Sequence, residues 1–476
     1  MRWLFIATAM VSASALAQIA AAPPGDREFV KIESPLLALE HVQVIDGTGA
    51  PPKSDQTILI GAGRIQAVAS SMQFSPPAGA ERMNLQGYTV IPGLVGMHNH
   101  LFSLAFQGGT AVLREVAISF SRLYLANGVT TIRTTGSIEP YTDLNLKKLI
   151  DERSFPGPKM FLSSPYFEGA FRGRGYFQNH QLSGPKEAKQ MVDFWADQGI
   201  TSIKVYVHIK RAELRATIDA AHRRGLKVAG HLCAVGYREA AAMGIDSIEH
   251  GFMEDSEFVP NKQPDVCPDR AEELARIAAV EVDSAPVKEL FRDLIKHKVT
   301  VTSTLPIFEV NISTRPLPQR ALEMMLPEWR ANVLTSVLTK VVETARPTDA
   351  LLKKNMQLER AFVKAGGFLM AGSDGVGLGG VLAGFADLRE IEMLLEAGFK
   401  IEEAIQIATS NGAQFLGILD RVGTIAVGKQ ADLVVIHGDP TANINEVERV
   451  ELVFKNGVGY DSAKLIESVR GTVGFQ

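Results

Sequence analysis

The sequence is poor in cysteine and has no excess of either charge. Its 476 residues include only two cysteines, Cys233 and Cys267. This excludes a scaffold held together by many disulfides, although the two thiols could pair with each other in an oxidising compartment. The 49 basic and 53 acidic residues leave a formal net charge of −4. The sequence therefore predicts no basic surface of the kind that binds nucleic acid, and it contains no internal repeat or low-complexity tract.

Long hydrophobic runs are also missing after the N-terminus, so we expect no membrane span in the body of the chain. The first residues differ, because Arg2 precedes an apolar run over residues 3–16, and small residues at 15–17 and 20–22 offer cleavage sites. This pattern is typical of a signal peptide, which we place at residues 1–22. An uncleaved anchor is the alternative. Both interpretations predict an exported protein, periplasmic or secreted.

Two β-rich segments flank a middle of different character. Short alternating apolar runs separated by glycine-containing turns occur between residues 36 and 83, and again between residues 432 and 457. Such a pattern is typical of hairpins. The sequence therefore predicts a small β-sandwich domain built from both termini, residues 23–89 together with 420–476.

The middle, residues 90–419, alternates strand-like and helix-like segments. The strand-like runs are residues 90–98, 129–134, 159–164, 201–207, 227–231, 246–250, 299–305 and 368–374. Eight βα units are the number that closes a TIM barrel, so we predict an α/β fold with a (β/α)8 TIM barrel. The stretches 253–296 and 307–364 exceed one crossover helix, and we expect them to carry inserted helices over the barrel mouth.

Residues that can bind a metal lie where these strands end. In a TIM barrel the chemistry is found at the C-terminal ends of the strands. That rule selects a set of four imidazoles, one lysine and one carboxylate: His98, His100, Lys204, His231, His250 and Asp374. Each has an ordinary structural explanation when taken alone; Asp374, for example, could cap a helix. These positions were selected because predicted strands end there, and not because the residues can bind a metal. Their combination therefore predicts a metal site.

Lys204 needs an explanation of its own, because an ammonium inside a barrel is costly unless it is paired or neutralised. One hypothesis is an ion pair with a nearby carboxylate. The other is that the amine reacts with CO2 to give a carbamate that bridges two metal ions. The five ligand-type residues other than Lys204 are already more than one closed metal site needs. A site with two metal ions and a carbamate would use all six.

Substrate contacts are predicted from the residues beside Lys204. Tyr206 and His208 share its face of the strand, and we expect them to hold the carbonyl or a carboxylate of the substrate. Packing inside the barrel is the alternative. Arg172 and Arg174, in a glycine-rich loop after the third strand, could bind a carboxylate or simply be solvated.

Several stretches of the sequence resemble the amidohydrolase superfamily. They are residues 90–100 (VIPGLVGMHNH), 128–131 (GVTT), 247–251 (SIEHG), 423–425 (GTI) and 428–434 (GKQADLV). Within the superfamily the chain looks most like the imidazolonepropionase-like and Xaa-Pro dipeptidase-like branch. The resemblance implies a β-sandwich plus barrel and two zinc ions, with Lys204 as the carbamylated bridge and the histidines and Asp374 as the other ligands. Gly96 departs from the family, which often has Asp two residues before the first ligand.

These predictions lead to a hydrolase of small molecules. Two divalent ions would ionise a bridging water near neutral pH, and Asp374 would take the proton after attack on a carbonyl. We therefore expect a zinc-dependent amidohydrolase that cleaves the amide bond of dipeptides or N-acyl amino acids. A lactonase or organophosphate esterase on the same dinuclear site is the alternative, and a non-catalytic binding barrel is the alternative of another class. A homo-oligomer is compatible with the sequence.

Overall fold

The computed structural model describes residues 25–107, 110–170, 179–310, 312, 315, 317–339 and 348–474. The predicted signal peptide, Arg172 and Arg174 lie outside these residues. Strands and helices alternate along most of the described chain. None of the described helices combines the length and the apolar character that a membrane crossing requires.

The strands of the described residues are β1 (Val30–Ile32), β2 (Leu36–Val44), β3 (Lys53–Gly61), β4 (Arg64–Ser70), β5 (Glu81–Asn84), β6 (Tyr88–Pro92), β7 (Leu94–Asn99), β8 (Phe102–Gln107), β9 (Thr110–Glu115), β10 (Val129–Thr134), β11 (Lys159–Phe161), β12 (Ser163–Gly169), β13 (His180–Leu182), β14 (Ser202–Val205), β15 (Lys227–Gly230), β16 (Ser247–Glu249), β17 (Thr300–Ser303), β18 (Phe368–Ala371), β19 (Leu433–His437), β20 (Val450–Lys455) and β21 (Val458–Asp461).

The α-helices are α1 (Ala117–Ala126), α2 (Pro140–Asp151), α3 (Pro185–Asp197), α4 (Arg211–Arg223), α5 (Tyr237–Met243), α6 (Arg270–Ala279), α7 (Ala285–Lys296), α8 (Leu305–Glu309), α9 (Gln319–Leu322), α10 (Pro327–Thr339), α11 (Asp349–Lys364), α12 (Phe385–Glu396), α13 (Ile401–Ala408), α14 (Ser410–Phe415) and α15 (Ser462–Glu467). Helices α6 to α11 lie in or beside the two stretches for which the sequence predicts inserted helices.

Strands from both ends of the chain form one nine-stranded sheet. Its order is β1-β21-β20-β19-β6-β2-β3-β4, and β5 pairs with β2. The predicted sandwich would have two sheets, whereas the structure has one continuous sheet around an apolar core. The register of β2 breaks between Leu39 and Val42, where His41 has a φ of 63°. Because such a bulge bends a strand, the first half of β2 pairs with β5 and its end pairs with β6.

The middle of the chain forms two parallel sheets. Strands β11-β10-β7 form one sheet, and β13-β12-β14-β15-β16-β17-β18 form the other. The last strand reaches the first, because the backbone N–H of Asp374 donates to the carbonyl of His98 at 2.9 Å. The parallel strands therefore follow the order predicted for the barrel, and their carboxyl ends carry the residues selected from the sequence.

The structure differs from the sequence prediction at the first parallel strand. The predicted run 90–98 is divided between β6, which belongs to the nine-stranded sheet, and β7. Gly93 separates them, and a Cβ there would collide with the side chain of Thr130. The predicted domain boundary at residue 90 therefore falls inside β6. The sequence prediction also missed the antiparallel hairpin β8–β9, which follows β7.

Cys233 and Cys267 form a disulfide, with their Cα atoms 5.2 Å apart. Cys233 follows β15 closely, and Cys267 lies just before α6. The bond therefore ties the end of a parallel strand to the inserted segment that follows β16.

Candidate metal centre and active site

The ligand-type residues predicted from the sequence meet in one cavity of about 200 Å³. They are His98, His100, Lys204, His231, His250 and Asp374, and all of them line it. They come from the ends of β7, β14, β15, β16 and β18. A larger cavity of about 400 Å³ lies beside α8, and none of the described residues that line it is a histidine. The ligand-type residues selected from the sequence therefore lie in the smaller cavity.

Asp374 stands among three imidazoles. Its Oδ1 is 3.0 Å from His100 Nε2 and 3.7 Å from His98 Nε2, and its Oδ2 is 4.0 Å from His250 Nδ1. One ligand atom each from His98, His250 and Asp374 lies within 4.8 Å of the others. His231 completes the row, with its ring centroid 4.5 Å from that of His250. Nitrogen and oxygen donors at these separations suit a divalent transition metal.

The backbone is strained at two of these positions. His250 has a φ of 72° and Asp374 a φ of 49°, a left-handed conformation that non-glycine residues seldom adopt and that costs about 1 kcal/mol or more. Both residues lie just after a strand ends, and the sharp turn directs each side chain into the cavity. Strain of this kind persists where the surrounding structure enforces it, as at functional sites.

A buried carboxylate fixes the orientation of His98. Its Nδ1 donates to Glu249 Oε2 at 2.7 Å, while Glu249 also accepts from Arg133 at 2.7 Å and from Ser247 at 2.6 Å. Burial, and then the charge of Lys204, hold the pKa of His98 well below its usual value. Burial raises the pKa of Glu249, but Arg133 and Lys204 lower it more. The imidazole is therefore neutral and presents the Nε2 lone pair to the cavity, as a metal ligand must.

The contact between His100 and Asp374 calls for a cation. His100 Nδ1 donates to the carbonyl of Gly136 at 3.3 Å, so in the neutral ring Nε2 carries a lone pair. This nitrogen lies 3.0 Å from Asp374 Oδ1. Two acceptors this close need a proton or a metal ion between them.

Lys204 is buried in the cavity wall, with 1% of its surface exposed. Its Nζ has no hydrogen-bond partner among the described residues, and within that part of the chain no carboxylate forms an ion pair with it. Burial lowers its pKa to about 8. The charges of Glu249 and Asp374 act in the opposite direction and raise this pKa. A buried amine without a hydrogen-bond partner is compatible with the carbamate hypothesis.

The two predicted substrate contacts, Tyr206 and His208, have different surroundings in the structure. Tyr206 lines the cavity, and its ring centroid is 5.0 Å from that of His231 and 4.7 Å from that of Tyr166. His208 is not among the described residues of the lining; its backbone N–H donates to Glu168 Oε1 at 2.7 Å. Strand β14 ends at Val205, so the alternation that put His208 on the same face no longer applies.

Glu254 is a cavity residue that the sequence analysis missed. Its Oε2 is 3.6 Å from His231 Nε2 and 2.6 Å from Arg270. Burial raises its pKa, but the charge of Arg270 is the largest of the effects that bring it down to about 2, so it stays charged. It lies in an inserted segment with several other acidic residues, and no sequence signal separates it from them.

The other residues that were missed form an apolar wall. Phe102, Leu104 and Leu113 of the hairpin β8–β9 pack with Tyr166 and Val376, and all five line the cavity. The alternation of large and small residues from 102 to 106 could have predicted this strand.

A buried hydrogen-bond network joins the first and last parallel strands behind the imidazoles. Asn99 Nδ2 donates to Asp387 Oδ1 at 2.9 Å, and Ser373 Oγ donates to Asp387 Oδ2 at 3.0 Å. The side chain of Asn99 occupies the space beside Gly96, where a Cβ would lie 2.6 Å from its amide atoms. Gly96 therefore makes room for this network, which holds the neighbours of His98 and Asp374 in place.

Known proteins resemble this chain in both sequence and fold. A deacetylase from Agrobacterium fabrum is 30% identical over 139 residues, which span 29% of this chain and 32% of that relative. A solved Xaa-Pro dipeptidase with bound methionine in the active site is 21% identical, with a TM-score of 0.64 over 90% of this chain and 100% of that one. Bottromycin amidohydrolase is 20% identical, with a TM-score of 0.67 over 95% and 98%. At such identities the two structures show the fold alone, which is TIM-barrel-like α/β.

The resemblance seen in the sequence motifs is confirmed over most of the chain. The amidohydrolase family model matches residues 89–458, a range that includes every residue of the cavity described above. This chain is a member of the amidohydrolase family.

Proposed function

We propose that this protein is a metal-dependent hydrolase that cleaves the amide bond of dipeptides or N-acyl amino acids. One observation carries the proposal: four imidazoles, Asp374 and the unpartnered amine of Lys204 converge on one cavity. Membership of the amidohydrolase family supports the reaction class.

The donors present fit two divalent ions, and their imidazole and carboxylate chemistry favours zinc. His98, His100 and Asp374 would hold one ion, His231 and His250 would hold the other, and a carbamate on Lys204 would complete the ligand set. To form the carbamate, Lys204 Nζ bonds to the carbon of CO2 and releases one proton to water. The ions, when bound, would lower the pKa of a water molecule and polarise a substrate carbonyl.

The remaining work falls to side chains of the chain itself. Asp374, ionised and held among the imidazoles, would accept a proton at Oδ1 or Oδ2 and pass it to the departing amine. Tyr206 lines the same cavity, with its ring centroid 5.0 Å from that of His231, and its hydroxyl could hold the substrate carboxylate. The apolar wall of Phe102, Leu104 and Leu113 would bind the acyl group and exclude water.

The test is a substrate panel combined with metal removal. Purified protein should contain about two divalent ions per chain, lose activity with a chelator and regain it with zinc. Among N-acyl amino acids, dipeptides, lactones and phosphotriesters, the amides should be turned over fastest. Asp374→Asn serves as the inactive control. Faster turnover of lactones or phosphotriesters would reassign the site to that chemistry, and an absence of turnover on every class would leave a binding protein.

We also propose that the parallel strands close into a (β/α)8 barrel and that the protein is exported. The sequence pattern of residues 1–22 supports export, and a disulfide between Cys233 and Cys267 is compatible with an oxidising compartment. N-terminal sequencing of protein from its native host should begin near Gln18 or Pro23. An intact Met1 on cytoplasmic protein would contradict export.

A further inference from the structure

Glu254 and His231 stand at a separation that suits a shared metal ion. Their Oε2 and Nε2 atoms are 3.6 Å apart, which is too long for a good hydrogen bond between a carboxylate and an imidazole. Two such atoms bound to one tetrahedral zinc ion would lie about 3.4 Å apart, given zinc–ligand distances near 2.1 Å. The side chain of Glu254 is 11% exposed and lines the cavity.

Two buried carboxylates share the guanidinium of Arg270. Arg270 pairs with Glu254 at 2.6 Å and with Glu273 at 2.7 Å, and both carboxylates are buried. One guanidinium therefore faces two carboxylates. In the described part of the chain, the other ion-pair partner of Glu254 is His231, which is neutral when it acts as a metal ligand. When both carboxylates are ionised, the buried net charge is costly without a further cation.

The backbone also directs Glu254 towards His231. His250 and Gly251 have φ values of 72° and 61°, and these consecutive left-handed residues turn the chain back across the cavity after β16. The disulfide between Cys233 and Cys267 then ties the segment of His231 to the segment that leads into Arg270. Both partners of Glu254 are thus held by one covalent link, as a preorganised ligand requires.

We infer that Glu254 is a further ligand of the divalent ion bound by His231, and that Arg270 orients its carboxylate. The inference rests on the metal centre of the proposed function. It adds a carboxylate from the segment after β16 to the ligands that the strand ends supply.

Metal binding without substrate tests this inference. Metal-free wild type, Glu254→Gln and Glu273→Gln are titrated with zinc against a chromophoric chelator. We expect Glu254→Gln to lower the affinity for one of the two zinc ions about 10- to 100-fold. Glu273→Gln should bind both ions with the affinities of wild type. The control is matched, because each variant removes one carboxylate from Arg270, and of the two carboxylates it is Glu254 that forms a 3.6 Å contact with His231. With Co²⁺ in place of zinc, Glu254→Gln should also change the visible absorption bands, which respond to the ligand set.

Wild-type zinc affinities and an unchanged Co²⁺ spectrum in Glu254→Gln would overturn the inference and leave Glu254 as a partner of Arg270 alone. If Glu254→Gln does not fold, Glu254→Asp is measured instead; it keeps the charge but withdraws the carboxylate from His231, and the same weakening is expected. Failure of wild type to bind two ions would refute the metal centre of the proposed function itself, a result distinct from a change in Glu254→Gln alone.

Discussion

Replacing Glu249 by Gln should destabilise the protein strongly, because Glu249 balances a buried guanidinium. Glu249 has 0% and Arg133 1% of their surfaces exposed, and their atoms approach to 2.7 Å. The carboxylate also accepts from His98 and Ser247, which an amide with one acceptor oxygen cannot reproduce. Removing one partner of a buried ion pair costs about 3–5 kcal/mol, since the other charge stays in a dry environment.

A matched exposed pair provides the control. Glu33 accepts from Arg153 at 2.7 Å, but its side chain is 52% exposed. Because water screens exposed ion pairs, Glu33→Gln should change the free energy of unfolding by less than about 1 kcal/mol. The two substitutions are chemically identical, but Glu33 is exposed and Arg153 keeps a second partner in Asp26, whereas Glu249 is buried and holds two further hydrogen bonds.

Urea unfolding of metal-free protein measures both variants, so that metal affinity does not contribute. Zinc titration then measures the second effect, because His98 loses the charged acceptor at Nδ1 that orients its ring; we expect about 10- to 100-fold weaker binding. If Glu249→Gln and Glu33→Gln unfold within 1 kcal/mol of each other, the argument from burial is wrong.

The remaining predictions concern the cavity. Lys204→Ala should lose bound metal and activity. Short carboxylic acids should restore part of both by replacing the carbamate. Wild-type metal content in this variant would show that the lysine is only structural. Esterifying the α-carboxylate of the substrate should lower kcat/KM about 10- to 100-fold, as loss of a charge-assisted hydrogen bond implies, and Tyr206→Phe should slow the free acid more than the ester. Equal rates for acid and ester would remove Tyr206 as the carboxylate contact. Phe102→Ala should raise KM about tenfold for substrates with large apolar acyl groups, while KM for acetyl substrates should stay nearly unchanged. An equal change of KM for both classes would show that the apolar wall does not bind the acyl group.

Much of the candidate metal centre could be predicted from the sequence, because its ligand-type residues lie at or near the carboxyl ends of parallel strands. Each of these strands is a short apolar run that can be recognised in the sequence, and in a barrel the residues at its carboxyl end face the functional site. Thus His98, His231 and Asp374 were found without knowledge of any contact. His208 shows the limit of this rule, since β14 ends at Val205 and the alternation beyond it was not maintained.

The sequence by itself determined most of the order of strands and helices, the membership of the family and the positions of the ligand-type residues. These depend on local periodicity and on short motifs, which act within a few residues of one another. The tertiary structure alone decided the partners of those residues. Glu249 meets Arg133 across 116 positions of the chain, and Glu254 reaches His231 only because two left-handed residues turn the chain after β16. Contacts of this kind depend on the packing of distant segments, and no local pattern in the sequence encodes them.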